Sequence, residues 1–304
     1  MMVLTAPMLF LYPRSDIPAL LGRSPPAGEA GMDDLLSEML VKVSTTLDNS
    51  TYNMYYMIPH TSQKSGFLII NKPKGITSFG VVAQLRKITG IKKIGHAGTL
   101  DPLATGVLIC AVGREATREI GEFLKQDKKY RATIRLGAVS STYDAEGEIQ
   151  SQTRLPDGQV SNPPAGRAGL KSQSVAQKDI ENIIKKFIGT IQQVPPIYSA
   201  KKIGGKRAYQ LAREGKEVVL KPSEVTIYAI GIVSYRWPNL VLDVHCSSGT
   251  YIRSLAHDIG QTLGVGGYIE ELERTAIGSI VIRDAVDLND LAVENWREYL
   301  RNEL

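Results

Sequence analysis

The chain has little with which to hold a metal or close a disulfide: two cysteines, Cys110 and Cys246, and four histidines in 304 residues. The two thiols stand far apart in apolar or strand-like surroundings and no Cys/His spacing suits zinc, so both read as reduced structural residues, and no metal is expected. No run approaches about 18 apolar residues, the length a membrane-spanning helix needs. The apolar start from Met1 to Tyr12 lacks a basic leader and a small-residue cleavage site, so the expectation is a cytoplasmic protein. The chain also lacks G-x-G-x-x-G, P-loop and G-x-S-x-G patterns, and Gly204-Gly205-Lys206 has no upstream Walker glycine. Nucleotide cofactors are therefore not indicated.

What is present is ordinary globular composition, 43% apolar and 22% charged, with a net charge of +5 that is unevenly spread. Residues 1 to 64 hold four Lys/Arg and six Asp/Glu, leaving 32 basic against 25 acidic residues beyond them. The stretch from Tyr198 to Lys221 is the most basic, with Lys201, Lys202, Lys206, Arg207, Arg213, Lys216 and Lys221 against Glu214 and Glu217. Charge alone fits a phosphate backbone or a solvated helix face equally well.

Residues 1 to 64 mix Pro, Gly, Ser and Asn around a short helical hint at Asp33 to Val43 and read as an appended, disordered arm, or as gene-model sequence ahead of a start at Met54 or Met57. Beyond it, Gly66 to Asn71 reads as a buried strand and Ser78 as the cap of an amphipathic helix to Thr89. Val107 to Val112 is a second buried strand, Ala116 to Leu124 a helix, and Tyr130 to Leu136 a strand with Arg131, Thr133 and Arg135 outward. Residues 151 to 177 read as a mobile loop, Asp179 to Ile188 as a helix, Val225 to Arg236 and Leu240 to Cys246 as strands about Pro238-Asn239, and Tyr251 to Leu263 as a helix. Leu291 to Leu300 reads as a terminal helix. Strands and helices mix without a βαβ rhythm, so the expected class is α+β.

The most informative segment is His96-Ala97-Gly98-Thr99-Leu100-Asp101-Pro102-Leu103-Ala104-Thr105-Gly106-Val107-Leu108. Gly98 and Gly106 permit tight turns and Pro102 stiffens them, so Asp101 is held by backbone geometry. An isolated Asp-Pro is ordinarily a turn cap. This longer run resembles the catalytic loop of the TruB family of pseudouridine synthases, enzymes that isomerise a uridine in RNA. Four further segments resemble that family in the same order: Gly66 to Ser78 with Lys72-Pro73-Lys74-Gly75; Lys128 to Gly137 with Tyr130; Gln193 to Gly215 with Tyr198, Lys201, Lys202, Lys206, Tyr209 and Arg213; and Val244 to Leu255 with Tyr251 and Arg253. Leu272-Glu273-Arg274-Thr275 and Gly278 resemble the last motif, with Glu273 where the family commonly has a basic residue.

The resemblance covers Ser65 to about Leu291 and implies a pseudouridine synthase fold over residues 65 to 304, with a mainly antiparallel mixed sheet flanked by helices. It implies an RNA-gripping insertion at 193 to 216 and, after Asp287, too short a tail for the PUA domain that many members append. It implies an isomerase of uridine 55 in the T loop of tRNA, a cofactor-free monomer needing no protein partner. Asp101, Tyr130 and Arg253 become the catalytic set. His96, Tyr251, Leu272, Lys72, Lys201, Lys202, Lys206, Tyr209 and Arg213 become substrate-binding residues, with His96 against the opened RNA loop or hydrogen-bonded within its own. The rivals are a guide-RNA-dependent dyskerin-like enzyme, which depends on a PUA domain and protein partners, and a non-catalytic tRNA-binding module. Neutralising Lys201, Lys202 and Lys206 together is expected to weaken tRNA binding and to flatten its dependence on salt, as measured by binding isotherms at several ionic strengths; an unchanged slope would remove these lysines from the interface.

Overall fold

Two runs with scarcely a polar residue, Phe67 to Ile70 and Val107 to Val112, need burial on both faces, and they pair with each other. The structure is a computed structural model that describes residues 40–47, 50–57, 65–154, 160–161, 174–199, 201–203, 206–208 and 220–304. It divides into two units, Met1–Gln63 and Lys64–Leu304. In the first, Leu40–Leu47 and Ser50–Met57 pair antiparallel with Leu47 opposite Ser50. The helical hint at 33 to 43 is thus a strand from Leu40 onward, composed largely of β-branched residues, Val41, Val43, Thr45 and Thr46 among them, and paired in register with Ser50 to Met57. Residues 33–39 lie outside those described.

The second unit is built on β1 (Gly66–Lys72), α1 (Ser78–Thr89), β2 (Ile94–Ala97), β3 (Thr105–Val112), α2 (Arg114–Glu119), α3 (Gly121–Lys125), β4 (Lys128–Leu136), α4 (Gln177–Lys185), β5 (Gly189–Gln193), β6 (Ser223–Arg236), β7 (Asn239–Cys246), α5 (Ile252–Thr262), β8 (Gly267–Ile277), β9 (Ile280–Val281) and β10 (Val286–Asp287). These strands form one ten-stranded sheet in the order β5-β6-β7-β4-β8-β3-β1-β10, with β9 on β8 and β2 on β3. Only β8 with β3 and β10 with β1 run parallel. The α+β expectation with a mainly antiparallel sheet therefore holds.

β3 lies at a fork. Along one side it pairs with β1 throughout, Lys72 to Gly106 and Gly66 to Val112. Along the other, Thr105 and Gly106 meet Glu273 and Arg274 of β8, while Ile109 to Val112 meet β2. The segment containing Asp101 links β2 to β3 and enters at that fork.

Alternation along β1 and β3 feeds two cores. Leu68, Ile70, Leu108 and Cys110 pack with Val81, Val82 and Leu85 of α1 and with Trp296, whereas Phe67, Ile69, Val107 and Ile109 pack with Ala116, Phe123 and Ile277. A third core sets Leu255, Ala256 and Ile259 of α5 and Ile180 and Ile184 of α4 against β4, β6, β7 and β8.

Several boundaries differ from the sequence reading for local reasons. The cap of α1 is Thr77, whose hydroxyl accepts from Gly80 N at 2.9 Å, which frees Ser78 for another role. The helix expected over 116 to 124 is two short ones, α2 and α3, that meet at Ile120 before Gly121. The helix expected over 291 to 300 is only a 3₁₀ turn, Trp296–Tyr299, because the following chain straightens to exchange backbone hydrogen bonds with Phe67, Phe67 N to Arg301 O at 2.7 Å and Arg301 N to Phe67 O at 2.9 Å. The sequence reading assigned no element to β8, whose glutamates break up its apolar run. The mobile loop expected over 151 to 177 lies mostly outside the described residues.

Gly260 of α5 packs on the turn into β8, where an added Cβ would stand 2.2 Å from Gly267 N and 2.3 Å from Gly266 C. Backbone atoms cannot rotate away. Gly260→Ala is expected to cost about 3 kcal/mol or more in urea unfolding, at the upper end for overpacking; a loss under about 1 kcal/mol would mean that α5 can slide on the sheet.

Candidate active site

Asp101 sits in a segment whose backbone is tied down at nearly every step. Gly98 O accepts from Arg274 Nη2 at 3.0 Å and Val107 O from Arg274 Nε at 2.8 Å. Ser78 Oγ accepts from Leu100 N at 2.8 Å and donates to Leu100 O at 3.1 Å. Pro102 O accepts from Gly75 N at 2.8 Å and from Lys72 Nζ at 3.3 Å, and Asp101 O from Ala104 N at 3.1 Å. The two glycines do what their positions suggested, at φ 77° for Gly98 and φ 100° for Gly106.

Arg253 faces this carboxylate from the first turn of α5. Its Nη2 donates to Asp101 Oδ1 at 3.2 Å and its Nε lies 2.9 Å from Oδ2, a two-point grip of one hydrogen bond and one close ion-pair contact. The remaining N–H groups reach Tyr198 O at 2.9 Å, Thr142 O at 3.0 Å and Asp144 Oδ2 at 3.2 Å. The arginine side chain is 6% exposed, while Asp101 keeps 37% of its side-chain surface open. Desolvation by the surrounding protein pushes the Asp101 carboxyl above its ordinary value of 3.8; the Arg253 charge and hydrogen bond pull it back, Asp144 pushes it up and Lys72 pulls it down. The result is a fixed, partly open carboxylate beside a permanent cation, a group able to act as nucleophile or base.

Tyr130 lies on β4, directly opposite Arg274 of β8. Burial raises its phenol, and Arg274 lowers it. Tyr251 precedes α5, and its backbone N–H and C=O are both held by the buried Gln193 side chain, at 2.8 and 3.0 Å. That double bond fixes the entry of α5 and so the reach of Arg253. Leu272 is buried in the core against α5 and borders a surface pocket with Lys74, Leu103 and Arg131. His96 is half-buried on β2 opposite Cys110.

Lys72 departs from the sequence reading. It is fully buried, and its Nζ donates to Pro73 O, Ile76 O and Pro102 O. Burial pushes it down to about 8 while Asp101 and Glu146 pull upward. It therefore anchors the Asp101 segment from beneath through Pro102 O. In the basic insertion, Lys201 donates to Lys221 O at 3.2 Å, and Lys202–Ile203 pairs with Lys206–Arg207 as a small hairpin. Tyr209 and Arg213 lie outside the described residues.

Sequence reasoning missed Asp144, Thr142, Ser78, Gln193 and Arg274. Asp144 follows Tyr143, which adopts φ 63°, stacks on His257 at 3.9 Å and accepts from Ile269 N at 3.0 Å through its carbonyl. That left-handed turn aims Thr142 O and Asp144 together at Arg253. A residue other than glycine in this region has no sequence signature. Glu273, the departure from the family pattern, stands opposite Arg131, which also makes a two-point pair with Asp243 at 2.8 Å. It thus belongs, half-buried, to a charge row on the sheet with Arg131 and Asp243.

The family model described as TruB family pseudouridylate synthase (N terminal domain) matches residues 86–252, and the model described as tRNA pseudouridylate synthase B C-terminal domain matches residues 253–304. A protein named tRNA pseudouridine synthase B from Clostridium novyi (strain NT) is 42% identical over 236 residues, 78% of this chain and 75% of the relative. Another of that name from Protochlamydia amoebophila (strain UWE25) is 42% identical over 226 residues, 74% of this chain and 79% of the relative. Among solved structures, a Cbf5 chain of a Cbf5-Nop10-Gar1 complex is similar with a TM-score of 0.55 at 29% identity, over 77% of this chain. A chain of an H/ACA RNP bound to a substrate RNA containing 2'-deoxyuridine gives 0.53 at 28% identity, over 77% of this chain. The chain spans only 56% and 55% of the length of those two solved chains.

The charges around Asp101 set opposite shifts for its neighbours' removal. Asp144→Asn is expected to lower the Asp101 titration midpoint and Arg253→Gln to raise it, as read from the carboxyl carbon by NMR; movement of both in one direction would contradict the arrangement.

Proposed function

The chain belongs to the TruB family of pseudouridine synthases and isomerises uridine in tRNA to pseudouridine; from that premise we propose that its target is uridine 55 of the T loop and that Asp101 is the catalytic carboxylate. The observation that carries the assignment is the two-point grip of Arg253 on a carboxylate that still keeps an open face.

Pseudouridine formation breaks the bond from uracil N1 to ribose C1′, turns the base, and rejoins it through C5, with no net redox change or hydrolysis. A stacked uridine must first be flipped from the RNA. In this reading Asp101 acts on the ribose-uracil unit as nucleophile or base, kept ionised and aimed by Arg253. Tyr130 stacks on the uracil and assists loss of the C5 proton, Tyr251 and Leu272 line the base site, and His96 lies against the opened loop. Lys201, Lys202, Lys206, Tyr209 and Arg213 grip the outside of the T arm through phosphates and stacking. The enzyme works as a cytoplasmic monomer on tRNA alone. Among the described residues, no helix is long and apolar enough to cross a membrane.

Asp101→Asn is expected to abolish conversion of an unmodified tRNA while leaving its affinity within about tenfold, because phosphate contacts position the substrate elsewhere. Mapping pseudouridine along the tRNA after reaction tests position, catalysis and guide independence together. Product formed by the Asn variant, or at another position, would overturn the assignment.

A further inference from the structure

Arg274 is a buried cation that the reading above leaves without a role. Only 1% of it is exposed, and no carboxylate pairs with it among the described residues. Burying an unpaired guanidinium is costly, so the groups it touches must repay that cost. Two are the carbonyls of Gly98 and Val107, at 3.0 and 2.8 Å, which bracket the Asp101 segment. The fit is close: an added Cβ on Gly98 would stand 3.4 Å from Arg274 Nη1, and one on Gly106 would stand 2.3 Å from Arg274 O. The third neighbour is Tyr130, which stands directly opposite Arg274 in the β4–β8 ladder. Arg274 is the register partner of Tyr130 on one side of β8 and of Gly106 on the other. One side chain thus holds both ends of the Asp101 segment, and its residue faces the tyrosine across the ladder.

We propose that Arg274 is the positioning residue that joins Tyr130 to the Asp101 segment, fixing the rotation of the Tyr130 hydroxyl as well as the ends of that segment. A guanidinium can only donate hydrogen bonds. In this proposal the phenol oxygen accepts from it, and the single phenol proton turns away from Arg274. Tyr130 is thereby presented to the bound uracil with its hydroxyl rotor set in advance, which spares the ordering that a free rotor would need in the transition state. Side-chain hydrogen bonding and charge from Arg274 both oppose the effect of burial on this phenol, consistent with that contact.

The inference rests on the catalytic reading, and its test separates the two. Single-turnover conversion and tRNA binding are measured for the wild type, Arg274→Lys, Arg274→Gln, Tyr130→Phe and the double variant Arg274→Lys/Tyr130→Phe, with thermal melts on each. Lysine keeps the charge but cannot span two carbonyls and the phenol together. The expected result is a rate loss of about tenfold or more for Arg274→Lys with affinity within about twofold, and a loss shrinking to under about threefold when Tyr130 is already Phe. Arg274→Lys is the deciding variant should Arg274→Gln fail to fold. Equal losses in both backgrounds, or a loss confined to binding or melting temperature, would make Arg274 a structural residue only and overturn the proposal. An inactive wild type would instead overturn the proposed function.

Discussion

The geometry of the site depends on satisfying one buried guanidinium. Arg253 donates hydrogen bonds to Asp101 Oδ1, Thr142 O and Tyr198 O, and its charge stands 2.9 Å from Asp101 Oδ2 and 3.2 Å from Asp144 Oδ2. Water cannot replace any of them cheaply at 6% exposure. Four chain segments, the Asp101 segment, the Thr142–Asp144 turn, the strand exit at Tyr198 and α5, must therefore arrive together. Losing one acceptor would leave a charged donor buried and unpaired, which costs more than the hydrogen bond itself returns.

The same logic runs through the floor beneath. Lys72 binds Pro102 O, Ser78 binds both polar atoms of Leu100, and Arg274 binds Gly98 O and Val107 O. These contacts come from β1, α1 and β8, so three cores of the fold hold one segment of chain by its backbone. Because carbonyls and N–H groups do much of the holding, the Asp101 side chain remains open while Leu100, Leu103 and Ala104 pack into the core. The carboxylate is consequently rigid without being enclosed, the condition a preorganised site needs.

What the sequence disclosed and what it hid divide along this line. The Gly98, Asp101, Pro102 and Gly106 pattern announced a rigid turn because those residue types restrict φ directly, and the apolar runs 67 to 70 and 107 to 112 announced β1 and β3 because only burial satisfies them. The pairing of Asp101 with Arg253 came from family resemblance, since 152 residues separate them. The burial of Lys72, a residue expected to bind substrate, was not legible because lysine almost never lies fully buried; its three carbonyl partners arise from a turn shape that no residue type encodes. Asp144 was hidden by the left-handed Tyr143, and the contacts of Arg274 by its place on a strand to which the sequence reading assigned no element. Tertiary contacts, not local propensity, decided each of these.

The fork in β3 carries a consequence for how the protein comes into being. Gly106 closes its parallel contact only with Arg274, and Asp101 meets its cation only at Arg253, so the carboxylate waits on residues that follow it by about half the chain. Chains emerge from the ribosome starting at the amino end, and pairings of such long separation form late. The basic residues from Lys201 to Lys206 emerge before either arginine. A nascent chain therefore carries that positive charge before Asp101 has its cation, and the segment is tied at both ends only once β8 has docked.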